Sequence, residues 1–122
     1  MVQKTEQDVM TKVKEFAESI KDSEIYREFR EKKETLDENE EAQNLLVDFQ
    51  RKQIEMRQEG YSEELYNEIM KNLDNIKENK IIQEYGVAQK KLLDLLNETN
   101  NLISDKLGTP FAQGKGGGCC GG

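Results

Sequence analysis

Two adjacent cysteines near the end of this 122-residue sequence, Cys119 and Cys120, are the side chains best suited to metal chemistry. Thiolates are soft ligands that suit zinc, copper(I) and iron–sulfur clusters. The sequence contains no histidine, so one chain offers two sulfurs and no imidazole. A closed four-thiolate site therefore needs two copies of this segment, or cysteines from another protein. A second interpretation stays open, in which the segment carries two free thiols.

The absence of histidine also limits catalysis. It excludes the Ser-His and Cys-His nucleophile pairs and the Glu-x-x-His motif of helical di-iron bundles. Carboxylates are abundant, but Glu38, Glu40 and Glu41 cluster around the predicted start of a helix, where they stabilise the helix dipole. We therefore expect a protein that is not an enzyme.

The charge balance disfavours direct binding to nucleic acid. Lys and Arg number 18 against 25 Asp and Glu, which gives a net charge of −7, and nucleic-acid affinity depends on cations that neutralise phosphates. Seven basic residues concentrate in two stretches, but each stretch is interleaved with glutamate, which is typical of a solvated face with i,i+4 ion pairs. The alternative is a docking patch for an acidic partner or RNA. The seven residues are Arg27, Arg30, Lys32, Lys33, Arg51, Lys52 and Arg57.

The elements that position these residues are helices. Apolar spacing of three and four predicts five of them and no strand. Expected helix N-caps are Thr5 with Asp8, Ser23 or Asp22, Asp37 with Glu40, and Ser62. Gly60 is expected to end the third helix as a left-handed residue, Asn79 marks a soft boundary, and Gly108 with Pro110 ends the fifth.

The fifth helix is the longest and predicts self-association. From about Lys80 to Leu107 it would be roughly 42 Å long at 1.5 Å per residue, whereas a compact monomer of this size is only about 35 Å across. Leu93 and Leu102 widen its apolar arc beyond what one neighbouring helix covers. Gly86 within it marks either a close approach by another backbone or a tolerated glycine. The predicted contact residues with a partner chain are Tyr85, Leu92, Leu96 and Ile103.

Composition predicts a thin core. Only 28 of 122 residues are Leu, Ile, Val or Phe, and mean hydropathy is −0.90, so a small all-α domain completed by a partner chain is expected. We assign residues 1–110 to an elongated, homo-oligomeric helical bundle and residues 111–122 to a flexible glycine-rich tail. No run of 18 apolar residues and no signal peptide is visible, so a cytoplasmic protein without a membrane span is expected.

The order of several segments over roughly residues 9–107 resembles the YlbF/YmcA family of small helical proteins, which includes YheA-like members. The segments that carry the resemblance are residues 23–29, 40–49, 53–60, 79–85, 88–89 and 92–100, followed by Ile103. The resemblance implies an all-α fold with long helices that associates as homodimers or larger oligomers.

The resemblance also implies a regulatory role. Characterised YlbF-like members act with YmcA and YaaT to adjust ribonuclease Y-dependent mRNA maturation, and so influence competence, sporulation and biofilm formation. Their complex is associated with iron–sulfur clusters held by cysteines, which places possible ligation on Cys119 and Cys120; YheA-like members lack such a tail. Our leading hypothesis is a helical adaptor that regulates through protein contacts. The alternative is a carrier of zinc or an iron–sulfur cluster shared between chains through the cysteine pair.

Overall fold

The computed structural model describes residues 5–112, which form five α-helices and no strand. Helix α1 spans Glu6–Lys21, α2 spans Glu24–Glu38, α3 spans Glu40–Glu59, α4 spans Glu63–Glu78 and α5 spans Lys80–Leu107. The all-α prediction and the long fifth helix are confirmed. No helix within this part of the chain is long and apolar enough to cross a membrane.

Most helix starts follow from side-chain caps that the sequence predicts. Thr5 Oγ1 accepts a hydrogen bond from Asp8 N, and the Asp8 carboxylate accepts from Thr5 N, which completes a capping box. Ser23 accepts from Tyr26 N and Ser62 accepts from Leu65 N, each at 3.2 Å. Each cap satisfies a backbone N–H that the helix itself leaves unpaired.

The predicted cap of α3 at Asp37 is wrong. Asp37 lies in the last turn of α2, where its carboxylate accepts a bond from Lys33 Nζ at 3.1 Å. The cap is Asn39, whose backbone is extended and whose Oδ1 accepts from Ala42 N at 2.8 Å. Good helix formers continue α2 through Glu38, so the chain leaves the helical conformation two residues later than expected.

Glycine ends two helices through positive φ angles. Gly60 follows α3 with φ of 90° and ψ of 174°, so its φ is positive as expected although its ψ is extended. Gly108 follows α5 with φ of 74°, and the N–H groups of Gly108 and Thr109 both donate to Ser104 O. Asn79 separates α4 from α5, and its Oδ1 accepts from Ile82 N at 3.0 Å.

The chain divides inside α5 into a unit that ends at Gln89 and a unit that begins at Lys90. In the first unit α3 packs chiefly against α4, and α2 packs against α3. The buried apolar residues of the described chain all lie in this unit, and none is a large side chain that is fully buried. They are Leu36, Ala42, Leu65, Ile69 and Ala88. The second unit contains the rest of α5 and the turn that follows it.

Candidate functional site

The predicted metal ligands, Cys119 and Cys120, lie outside the described residues, as does most of the predicted tail. Within residues 5–112 no group of three potential ligand side chains is placed to hold a metal ion. The donor set of the full sequence is two thiols per chain and no imidazole. That set fits a four-thiolate cluster or zinc site only when a second copy of the chain or another protein contributes further cysteines.

The acidic residues at the start of α3 border an open groove. Glu40 and Glu41 line it together with Asn44, Leu45 and Asp48, and its volume is about 450 Å³. Both glutamates lie in the first turn of α3, where negative charge is stabilised by the helix dipole. This placement agrees with the structural role that the sequence predicts for Glu40 and Glu41. The same prediction is wrong for Glu38, which is the last residue of α2 and not part of the first turn of α3.

The basic stretches are largely engaged with neighbouring carboxylates. Arg27 contacts Glu24 and Arg51 contacts Asp48, both three residues apart, and Lys33 contacts Asp37 four residues on. These are the local ion pairs that interleaved charges predict. The described contacts therefore favour solvated faces over a phosphate-binding patch.

The ion pair of Lys32 and Glu84 joins two different helices. Lys32 Nζ of α2 lies 3.0 Å from Glu84 Oε1 of α5, and Lys80 Nζ lies 3.9 Å from Glu84 Oε2. The hydrogen bond from Lys32 and its positive charge hold the pKa of Glu84 below the usual value of 4.5, and the charge of Lys80 lowers it further. The pair helps to fix the first part of α5 against α2.

Tyr85, the first of the predicted interface residues, belongs partly to the interior of its own chain. Its ring packs against Phe29 of α2 with centroids 5.7 Å apart, and Phe29 in turn packs against Tyr26. Tyr85 is half-buried by these contacts, which leaves part of the ring available to a partner. The structure therefore places it at an edge of the α2–α5 contact.

The other predicted interface residues lie in the second unit. Leu92 and Ile103 are half-buried, and Leu96 is 38% exposed. Leu93 and Leu102, which widen the apolar arc in the sequence, are 51% and 60% exposed. A Cβ added to Gly86 would meet no atom within 4 Å, so no helix of the described chain approaches that position closely.

A second uncovered apolar surface lies on α1, none of whose residues is buried. Four large side chains on it are between 42% and 54% exposed, and we call them the α1 face: Val9, Met10, Val13 and Phe16. At 100° per residue, Lys12 borders one side of this face and Lys14 and Lys21 border the other. The spacing of the apolar residues was visible in the sequence, but not that the chain leaves them uncovered.

Two asparagines with covered side-chain oxygens were not predicted from the sequence. Asn72 is 5% exposed, its Nδ2 donates to Leu45 O at 3.1 Å, and its Oδ1 is covered and accepts no bond from a described residue. Asn100 Oδ1 in α5 is also covered and without a described partner. The burial of Asn72 could have been predicted from its position in α4, because it falls on the same helical face as Leu65, Ile69 and Ile76.

Comparison with known protein families shows which family the chain belongs to. The family model described as "Control of competence regulator ComK, YlbF/YmcA" matches residues 9–108. The chain belongs to this family. The resemblance drawn from the ordered segments is thereby confirmed, and the YlbF/YmcA family is named for regulatory control.

Two relatives of this YlbF/YmcA chain carry the name "UPF0342 protein". The protein from Halothermothrix orenii is 29% identical over 94 residues, which cover 73% of this chain and 80% of the relative. The protein from Caldicellulosiruptor bescii is 26% identical over 98 residues, which cover 76% and 82% respectively. Their shared name states no activity, so the regulatory description rests on the family match.

Proposed function

We propose that this YlbF/YmcA-family chain is a non-enzymatic adaptor that regulates gene expression by self-associating and by binding other regulatory proteins. The observation that carries the proposal is the α1 face. A helix of 16 residues is marginally stable alone in water, and most helical stability comes from packing of the apolar face. An apolar face that its own chain leaves uncovered is typical of a surface that binds another protein.

The family description supports a regulatory rather than a catalytic role. A regulator of competence can act on transcripts, and by resemblance the regulated step is RNA processing during development. The net charge of −7 and the locally paired basic residues favour action through proteins that bind RNA over direct contact with RNA.

A cluster or metal carrier is the alternative function, and it rests on Cys119 and Cys120 alone. These residues lie beyond the described part of the chain, so the support for this alternative is the donor chemistry of the sequence. The two functions are compatible, because a shared site between tails would join two adaptor copies.

The test is complementation in the organism that encodes the protein. A deletion strain receives wild type, Phe16→Glu, or the control Thr11→Glu, which places the same charge on the opposite side of α1. Transcript ends are then mapped by sequencing. We expect wild type and Thr11→Glu to restore the wild-type transcript ends and Phe16→Glu to fail, although circular dichroism shows equal helicity. Full restoration by Phe16→Glu would contradict a role for the α1 face.

A further inference from the structure

The second half of α5 carries a row of residues with the spacing of a coiled-coil seam. The steps along the row are three, four, three and four residues, which is the a/d pattern of two heptads. We call it the α5 row, and it consists of Leu93, Leu96, Asn100, Ile103 and Leu107. All five residues lie in the unit that begins at Lys90.

The α5 row is open at both ends and contains one unsatisfied polar group. Leu93 is 51% exposed and Leu107 is 61% exposed, so apolar surface remains uncovered on each side of the centre. At the centre, Asn100 Oδ1 is covered and accepts no hydrogen bond from residues 5–112. A covered acceptor without a donor is destabilising, so a turn of the Asn100 side chain that presents its amide to a donor on a partner relieves that cost.

A second copy of the chain can supply such a donor. In a parallel pair of helices, equivalent a positions face each other in one layer, so Asn100 meets Asn100, and the amide Nδ2 of one chain can donate to Oδ1 of the other. In an antiparallel pair an a position faces a d position, so Asn100 would face leucine or isoleucine. A single buried asparagine at an a position is a known device that fixes register and the number of strands.

The charges beside the α5 row also favour a second copy. Two copies of a chain with a net charge of −7 repel each other wherever carboxylates meet. The positions that flank the row hold no carboxylate; they are Leu92, Asn97, Thr99, Ser104 and Lys106. The nearby acids Asp94, Glu98 and Asp105 lie on the opposite side of the helix at 100° per residue, and Asp94 is paired with Lys90 at 3.0 Å.

We propose that two copies of the chain pair in parallel and in register through the α5 row, with their Asn100 side chains hydrogen-bonded to each other. The inference deepens the self-association in the proposed function and rests on it. It also sets the direction of the chains, because both copies leave the pair at the same end, after Gly108.

Disulfide trapping tests the orientation. In a full-length chain with Cys119→Ser and Cys120→Ser, single variants Leu93→Cys, Leu107→Cys and the control Asp94→Cys are oxidised with a glutathione buffer. Parallel pairing predicts that Leu93→Cys and Leu107→Cys each cross-link with themselves, because equivalent positions meet. Asp94→Cys should cross-link at least tenfold more slowly, since it lies on the far side of α5. If neither variant cross-links with itself but a mixture of an a-position and a d-position variant does, such as Leu93→Cys with Ile103→Cys or Leu96→Cys with Leu107→Cys, the pairing is antiparallel and the proposal is wrong.

Light scattering of the otherwise unchanged chain separates this proposal from general self-association. Wild type should have twice the chain mass at micromolar concentration. Asn100→Asp should be a monomer at neutral pH, and Asn100→Leu should form an oligomer with a different number of copies. Both variants should retain the helicity of wild type. A dimeric wild type whose mass is unaffected by Asn100→Asp would overturn the α5 row as the interface and leave self-association standing. A monomeric wild type would overturn both.

Discussion

Replacing Asn39 should destabilise the chain more than replacing Asp37, because Asn39 and not Asp37 is the N-cap of α3. Asn39 Oδ1 accepts from Ala42 N at 2.8 Å, and the Asn39→Ala variant leaves that N–H without its side-chain partner. The cost expected for such a cap is about 1 kcal/mol. That is a measurable part of a total on the order of 5–15 kcal/mol. The hydrogen bond from Asn39 N to Leu36 O belongs to the backbone and should survive.

Asp37→Ala is the matched control, two residues earlier. It removes the exposed pair with Lys33, which contributes about 0.2–0.5 kcal/mol. It also removes a negative charge from the C-terminal turn of α2, where the helix dipole disfavours it, so the two effects largely offset each other. The expected change in the free energy of unfolding is below about 0.5 kcal/mol.

Urea unfolding followed by far-ultraviolet circular dichroism measures both variants. All samples are compared at one protein concentration, because the stability of a self-associating chain depends on concentration. A third variant, Asn39→Asp, keeps an acceptor at the cap and should retain most of the stability. An equal or larger loss for Asp37→Ala than for Asn39→Ala would refute the assignment of the cap.

Four further predictions concern the ion pair, the buried amide, RNA and the cysteines. Because Lys32 lowers the pKa of Glu84, their ion pair stabilises the fold fully at pH values above the usual pKa of 4.5. This stabilisation is lost as the pH falls through the lowered pKa. In urea titrations, Glu84→Gln should therefore lose less stability on acidification than wild type does. Asn72→Asp should destabilise by about 3 kcal/mol at neutral pH, since it removes the donor to Leu45 O and buries a charge, and calorimetry should show a smaller loss for Asn72→Ala. The isolated chain should bind RNA only weakly at physiological salt, and submicromolar binding in a filter assay would point instead to a basic face at Arg27, Arg30, Lys33 and Arg51. A chain that lacks residues 112–122 should unfold at an unchanged urea concentration. Cys119→Ser with Cys120→Ser should abolish any metal that wild type binds after anaerobic reconstitution, expected at one four-thiolate site per two chains.

The helices were predictable because their boundaries are set by local interactions. Thr5, Ser23 and Ser62 each bond a backbone N–H three residues on, and such caps can be read from a few neighbouring residues. The error at Asp37 arose because two suitable cap residues lie two positions apart, and helix propensity between them decides which is used.

The surfaces were less predictable because burial depends on distant packing. Val13 on α1 and Ile69 on α4 both belong to apolar stripes with helical spacing, yet Val13 is exposed and Ile69 is buried. Only the packing of α4 against α3 distinguishes them. The hydrogen bond of Asn72 was unpredictable for the same reason, because its acceptor, the Leu45 carbonyl, lies 27 positions away in the sequence.

The most direct test of the adaptor account is site-specific photo-cross-linking in the native organism. A photoreactive amino acid replaces Val13, in the α1 face, or Thr11 on the opposite side of the same helix. The account predicts discrete covalent adducts from position 13, identified by mass spectrometry as a second copy or a regulatory protein, and none above background from position 11. Adducts that are absent at position 13, or equal at both positions, would contradict a protein contact through the α1 face.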